Sequence, residues 1–223
     1  MTRTYVGIDF SLNNPAFCVY SESEAKTFWW ALHKTTKKLE NIYKNPNSPL
    51  TTLKEESRII ISVKEKLQYS KEYLEEQREK FREYNLVVDE LFEILKTYTG
   101  FPSSTFVAME GISFGSSGNS LVDISLATSL LRKKIVDYYG HDRLFVVPPS
   151  AIKKFAYKGN AKKHEMYEAL MQREDLFLKN FQAIFGSKKE FWVRGEKVEE
   201  PCSDLIDATW TMLYLKNLLN PMN

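Results

Sequence analysis

The chain has 223 residues, of which 43% are hydrophobic and 27% charged, values typical of one globular domain with a sizeable core. The formal net charge of +2 is too close to zero to identify a nucleic-acid partner by itself. Two cysteines, Cys18 and Cys202, exclude a disulfide framework, and no apolar run reaches the roughly 18 residues of a membrane span, so we expect a soluble, cytoplasmic protein without a membrane partner.

Three short strands are predicted at the start of the chain. Thr4 to Phe10 (TYVGIDF) is apolar and rich in strand-forming residues, and because it begins so early we expect no signal peptide. The turn sequence SLNNP follows, and AFCVYSE and TFWWALH supply two further strands. Tight turns between consecutive strands predict an antiparallel meander.

The segment from 34 to 100 is predicted to be a connection or arm within a single domain spanning 1–223. Residues 34–50 are polar and predict a loop, whereas Thr51 to Thr99 contain neither Gly nor Pro and predict one long charged helix. Unbroken, that helix would be on the order of 70 Å long, so it must protrude or bend. It either packs its last turns on the sheet or forms an arm that meets a second subunit or DNA.

Strands and helices alternate in the rest of the chain. Ser104 to Glu110 predicts a strand before the loop GISFGSSGNS, a helix is predicted over 120–139, and RLFVVPP predicts a fifth strand. A short basic helix, a helix from Ala161 to about Gln172, a possible hairpin in EFWVRGEKVEE and a final apolar helix follow. This order predicts an α/β, ribonuclease H-like fold, with a mixed five-stranded sheet flanked by helices and a long helical insertion.

Four acidic residues from distant parts of the chain are predicted to converge. Asp9 ends the first strand, Glu110 ends the fourth, and Asp204 and Asp207 lie three residues apart on the final helix. Taken singly, each has a structural explanation: a strand end or turn for the first two, and a helix N-cap for Asp204. Together they would repel one another unless divalent cations lay between them, and carboxylate oxygens suit two Mg²⁺ ions.

Four motifs resemble the successive signatures of RuvC-like Holliday junction resolvases: VGIDFSLNNPAF, FVAMEGISFG, KGNAKKHEM and SDLIDATWTMLYL. That family belongs to the ribonuclease H superfamily and cuts four-way DNA junctions as a homodimer with Mg²⁺ or Mn²⁺. The resemblance covers residues 1–32 and 104–218. It implies that the four acids are catalytic metal ligands, with the position of Asp204 the least constant in the family.

The chain departs from the family pattern in two ways. Phe10-Ser11 stands where the family usually has Pro-Gly, and the segments 34–100 and 174–200 are longer than in bacterial members. Such divergence resembles a phage or viral member, which would act in the cytoplasm of its host. The departures bear on how a junction is held rather than on the chemistry.

Five lysines form a basic cluster. Eleven consecutive residues contain all five and no Asp or Glu: Lys153, Lys154, Lys158, Lys162 and Lys163. The cluster is either a solvated face or a DNA-binding surface that contacts phosphates. The resemblance favours DNA binding and implies functional, catalytic roles for Lys153 and Lys163.

Phe114 and the predicted helix at 120–139 offer two further interaction surfaces. Phe114 lies in the glycine- and serine-rich loop, where it either stacks on a base at the junction centre or folds back onto the core. The helix is apolar over much of its surface, so one side can pack on the sheet and another on a twin subunit. A homodimer would supply the two equivalent sites that symmetric nicking needs.

These observations predict a metal-dependent crossover junction endodeoxyribonuclease that resolves branched DNA in recombination and repair, using two Mg²⁺ ions that Mn²⁺ can replace. One alternative keeps the fold and acts on RNA–DNA hybrids or flap DNA, so only the binding surface separates the two. Another is an actin-like or sugar-kinase-type nucleotide-binding protein, but no second glycine-rich phosphate loop is evident among the nine glycines. A non-catalytic DNA-architecture protein is the fourth interpretation.

Overall fold

A six-stranded mixed sheet forms the centre of the protein. The computed structural model describes residues 2–34, 36–53, 57–65, 68–112 and 119–221. Across the sheet the strands run in the order β4-β3-β2-β1-β5-β6. Their bounds are β1 Thr4–Asp9, β2 Ala16–Ser21, β3 Lys26–Lys34, β4 Ile59–Lys64, β5 Thr105–Glu110 and β6 Leu144–Val147.

The predicted meander is confirmed, because β2 pairs antiparallel with both β1 and β3. The other three pairings are parallel: β1 with β5, β5 with β6, and β3 with β4. The predicted neighbourhood of the strands that end at Asp9 and Glu110 is therefore also confirmed. A small antiparallel hairpin of β7 (Val193–Arg194) and β8 (Lys197–Val198) confirms the hairpin predicted in this stretch.

Helices cover both faces of the sheet. The helix predicted over 120–139 is confirmed, and the final helix carries Asp204 and Asp207 as predicted. The helices are α1 Lys37–Lys44, α2 Tyr73–Thr99, α3 Asn119–Tyr139, α4 Pro149–Ala156, α5 Lys163–Met171, α6 Lys179–Phe185, α7 Lys189–Trp192 and α8 Cys202–Leu219. Within the described part of the chain, none of them is long and apolar enough to cross a membrane.

Three predictions for the segment between β3 and β5 were wrong. The sheet has six strands rather than five, because Ile59–Lys64 extends it as β4 beside β3. The long helix accordingly begins at Tyr73 rather than Thr51, so its 27 residues span only about 40 Å. The stretch predicted as a loop contains α1. The β-branched residues of Ile59–Lys64 favour a strand, and the free edge of β3 supplies the hydrogen bonds.

Two buried clusters lie on opposite faces of the sheet. Trp29 and Trp30, adjacent in β3, are both fully buried, one in each cluster. The first cluster joins the sheet to the helices from α4 onward. Helix α8 is buried in this cluster along most of its length. The second cluster joins the sheet to α2 and α3 through residues such as Leu91 and Leu131. This gives a three-layer arrangement with helices on both sides.

The last helix, α8, rests directly on the central strand β1. A Cβ atom added at Gly7 would lie 2.2 Å from the carbonyl oxygen of Ala208 and 2.2 Å from the amide nitrogen of Met212. Only glycine allows the two backbones to approach so closely. Since Asp9 lies on the same side of β1 two residues later, this contact fixes the end of the strand beside the second turn of α8.

Candidate active site

A pocket of about 290 Å³ opens where β1 and β5 end. Its wall contains three of the four predicted acids, Asp9, Glu110 and Asp207, together with Lys153 and Lys163. The fold thus brings together five of the six residues for which the sequence predicted catalytic roles, although they are up to 198 positions apart in the chain.

Backbone geometry explains why three acids meet in this pocket. The parallel register pairs Ile8 with Met109, so the next residues, Asp9 and Glu110, leave the same edge of the sheet. Asp207 lies in the second turn of α8, which packs over β1. The hydroxyl of Thr211 donates to the carbonyl oxygen of Asp207 at 2.8 Å and lines the same pocket one helical turn further on.

Asp204 lies outside the wall of this pocket and contacts His33 instead. Its Oδ2 is 3.2 Å from Nε2 of His33, an imidazole that is only 2% exposed at the end of β3. Both atoms are buried, and neither makes a well-aligned hydrogen bond within the described residues, so the contact is one of proximity. The N-cap interpretation of Asp204 was wrong, because Pro201 occupies the cap position and Asp204 lies inside the first turn.

Sequence reasoning missed His33. The available signal was its place in β3, where Trp29, Ala31 and His33 alternate on the face that α8 covers. A titratable residue at such a position, at the end of an apolar strand, needs a partner. The partner comes from the other end of the chain, and no local pattern indicates it.

Charge is crowded in the pocket. Burial raises the pKa of Asp9 to about 7, the ammonium of Lys163 opposes that rise, and the charges of Asp204 and Glu110 add to it. Burial likewise raises the pKa of Glu110, and Lys163 and Lys153 oppose the rise. Water therefore stabilises the ionised carboxylates of this site poorly, and a cation that binds beside them would stabilise them.

The carboxylates fit a divalent cation by their chemistry. Several carboxylate oxygens in a small, partly desolvated pocket are the ligands that Mg²⁺ prefers. In the present side-chain positions the ammonium of Lys163 contacts Asp207 and supplies part of the positive charge. Among the described residues, no three His, Cys, Asp or Glu side chains are already arranged around one ion. A bound ion would therefore need the acidic side chains to come closer together, and it would compete with Lys163 for Asp207.

The five clustered lysines divide into two groups. Lys153 and Lys163 face the pocket. Lys158 and Lys162 are exposed. Lys158 pairs with Glu165 in the first turn of α5, and Lys162 pairs with Glu196 at the β7–β8 hairpin. Lys154 is exposed on α4. Phe114, the predicted base-stacking residue, lies outside the described residues.

The order and direction of the strands define the fold class. An antiparallel β1–β3 meander, continued by parallel β5 and β6 and covered by helices on both faces, is a mixed α/β fold of the RuvC and ribonuclease H type. The acids at the ends of β1 and β5 lie on two adjacent parallel strands inside the sheet.

The fold is similar to that of a solved structure. The chain is similar to Thermus thermophilus RuvC in complex with Holliday junction substrate, with 10% identity over 97% of this chain and 96% of that one and a TM-score of 0.50. For another Thermus thermophilus RuvC structure the identity is 12%, the coverage 96% of both chains and the TM-score 0.48. At such low identity the similarity shows the fold alone. No protein-family model and no curated protein matches the sequence.

Proposed function

We propose that the protein is a metal-dependent, structure-selective DNA endonuclease that resolves four-way junctions. The observation that carries this proposal is the single pocket that contains Asp9, Glu110, Asp207, Lys153 and Lys163. Acids crowded in a pocket where burial, and to a smaller extent the neighbouring acids, raise the pKa of Asp9 are suited to holding cations, and adjacent lysines are suited to holding a phosphate. The structurally similar RuvC was solved with a Holliday junction, which supports branched DNA as the substrate class.

Asp9, Glu110 and Asp207 would hold Mg²⁺. Asp204, which now contacts His33, would be the fourth ligand. When bound, the metal supplies an activated water and stabilises the leaving oxygen of the phosphodiester, and Mn²⁺ would replace Mg²⁺ in both roles. The side chains of Lys153 and Lys163 orient the phosphate and stabilise its developing charge. Lys163 leaves Asp207 as it does so.

A homodimer fits this activity, because a four-way junction needs two symmetric nicks and a two-fold dimer has two equivalent sites. Val122 and Leu126 are exposed on successive turns of α3. The opposite side of that helix packs against the sheet. These two side chains form the apolar strip that we assign to the dimer contact.

Cleavage assays with synthetic DNA test the proposal. Wild type should nick a four-way junction in Mg²⁺ or Mn²⁺ and stop in chelator. Asp207→Asn should cut more than about 100-fold more slowly, since losing even a residue that only supports a metal ligand costs roughly 10–100-fold. The variant should bind the junction as well as wild type or better, because it removes a negative charge beside the phosphate. Lys44→Ala, an exposed change on α1, is the control and should cut normally.

The substrate panel separates the alternatives. It contains four-way, three-way, flap and linear DNA and an RNA–DNA hybrid. Faster cleavage of the hybrid or the flap than of the junction would keep the chemistry and change the substrate. Wild-type rates from Asp207→Asn would overturn the metal assignment. Binding without cleavage in either metal would favour the non-catalytic interpretation.

A further inference from the structure

A second, more open cleft lies beside the candidate active site. Its volume is about 650 Å³, and Lys153 and Lys163 line both the cleft and the catalytic pocket. Its far side is formed by the β7–β8 hairpin, through Glu196 and Lys197, and by Lys162 just before α5. The cleft therefore continues the pocket outward along the hairpin.

Positive charge is concentrated in this cleft. Four of its nine lining residues are lysines and two are glutamates, so it carries two more positive charges than negative ones. Lys197 is 72% exposed, and its Nζ lies 3.5 Å from Oε2 of Glu199. Exposed ion pairs contribute little to stability. The fold itself therefore gains little from this grouping of lysines, whereas a polyanion entering the pocket would meet it at once.

The tip of the hairpin is tied to α5 through Glu196. Its carboxylate contacts the ammonium of Lys162, and its carbonyl oxygen lies 3.3 Å from Nδ1 of His164. The turn before it uses Gly195 at a φ of 62°, a backbone conformation that glycine adopts without strain. Lys162 is 55% exposed and Glu196 is 67% exposed, so a phosphate from solvent can reach the ammonium that Glu196 now neutralises.

We propose that this cleft binds the phosphate backbone of a DNA strand as that strand leaves the catalytic pocket. Lys197 and Lys162 contact phosphates, and Glu196 competes with the DNA for Lys162. This inference rests on the proposed nuclease function, for which it supplies the path of the strand beyond the cut. It also gives a role to the hairpin, a part of the chain whose sequence indicates no function.

Equilibrium binding tests the inference. Fluorescence anisotropy of a labelled four-way junction, in chelator so that no DNA is cut, is measured across about 50–200 mM salt. The proteins are wild type, Glu196→Gln, Lys197→Ala and Lys44→Ala. Lys44 is 76% exposed on α1 and lines neither cavity, so it controls for the loss of one positive charge.

The two hairpin variants should change affinity in opposite directions. Lys197→Ala should weaken binding about 3–10-fold and make the fall of log affinity with log salt less steep by about 1, because one phosphate contact is lost. Glu196→Gln should tighten binding by a similar factor of about 3–10 and make that fall steeper by about 1, because Lys162 becomes free to contact a phosphate. Lys44→Ala should match wild type, and all three variants should melt as wild type does.

Each other outcome overturns the inference in an identifiable way. If wild type binds the junction and both hairpin variants bind it equally well, the cleft assignment is wrong and the nuclease proposal stands. If Lys44→Ala loses as much affinity as Lys197→Ala, binding follows total charge rather than this cleft. If wild type binds no DNA, the proposed function and the cleft assignment fail together.

Discussion

Asp9 ionises less readily than an ordinary aspartate, and this gives a prediction for stability against pH. Its pKa is about 7 in the folded protein, against about 3.9 in an unfolded chain. The folded state therefore favours the protonated acid. The stability that protonated Asp9 contributes is fully present below about pH 4 and is lost as the pH rises through about 7.

Replacing Asp9 with Asn should remove that loss. In chelator at about pH 8, Asp9→Asn should melt roughly 2–8 °C higher than wild type, which corresponds to about 1–2 kcal/mol for a chain of this size. At about pH 4 the difference should shrink to less than about 2 °C, because Asp9 is protonated in the folded state and already about half protonated in the unfolded chain. Differential scanning fluorimetry across this range checks the prediction. A variant that is less stable than wild type at about pH 8 would show that Asp9 is not desolvated as described.

The residue scale also shows what the sequence could and could not predict about the site. Asp9, Glu110 and Asp207 were predictable because each lies at a strand end or on an apolar helix, and the motifs around them resemble a known family. The turning of Asp204 toward His33 was not predictable. It depends on a contact between β3 and α8, and nothing in either segment alone indicates the other.

At the scale of elements, the contact between α8 and β1 depends on the absence of a side chain at Gly7. Gly7→Ala would place a Cβ atom 2.2 Å from two backbone atoms of α8, and backbone cannot rotate away as a side chain can. We expect the free energy of unfolding to fall by roughly 3 kcal/mol or more, or the protein not to fold. Denaturant unfolding measures this change.

Gly159→Ala is the matched control, since a Cβ atom there meets nothing within 4 Å and the backbone needs no positive φ. It should change stability by less than about 1 kcal/mol, in either direction. Equal effects from the two alanines would mean that α8 does not rest on β1 at Gly7.

The elements also show why β4 escaped prediction. Ile59–Lys64 is short and lies in a stretch without Gly or Pro, where charged, helix-forming residues dominate on both sides. Its strand conformation depends on pairing with β3, which is more than 20 residues earlier in the chain. The helices and the β1–β3 meander, in contrast, have their own periodicity or tight turns and were predicted from local patterns.

At the scale of the whole molecule, the proposed homodimer predicts a change in mass. Wild type should sediment at twice the chain mass of 26.0 kDa. Leu126→Glu should sediment at the chain mass, because a carboxylate buried in an apolar contact loses its water without gaining a partner. Analytical ultracentrifugation distinguishes the two states.

Leu218→Glu is the control for that prediction. Leu218 lies on α8 and is 48% exposed, against 49% for Leu126, so it tests an equal change elsewhere on the surface. It should leave the dimer intact. A wild type that sediments as a single chain, or a control that dissociates as fully as Leu126→Glu, would contradict the assignment of the contact to α3.

The close approach of α8 to Gly7 keeps the candidate site independent of the outer edge of the sheet. The distance between Asp9 and Asp207 is set by the backbone of α8 packing against the backbone of β1. Strand β4, in contrast, joins the sheet at its outer edge, three places away from β1. Lengthening or shortening the chain at that edge leaves the spacing of the two acids unchanged. The outer edge of the sheet can therefore change while the spacing of the two acids in the candidate site is kept.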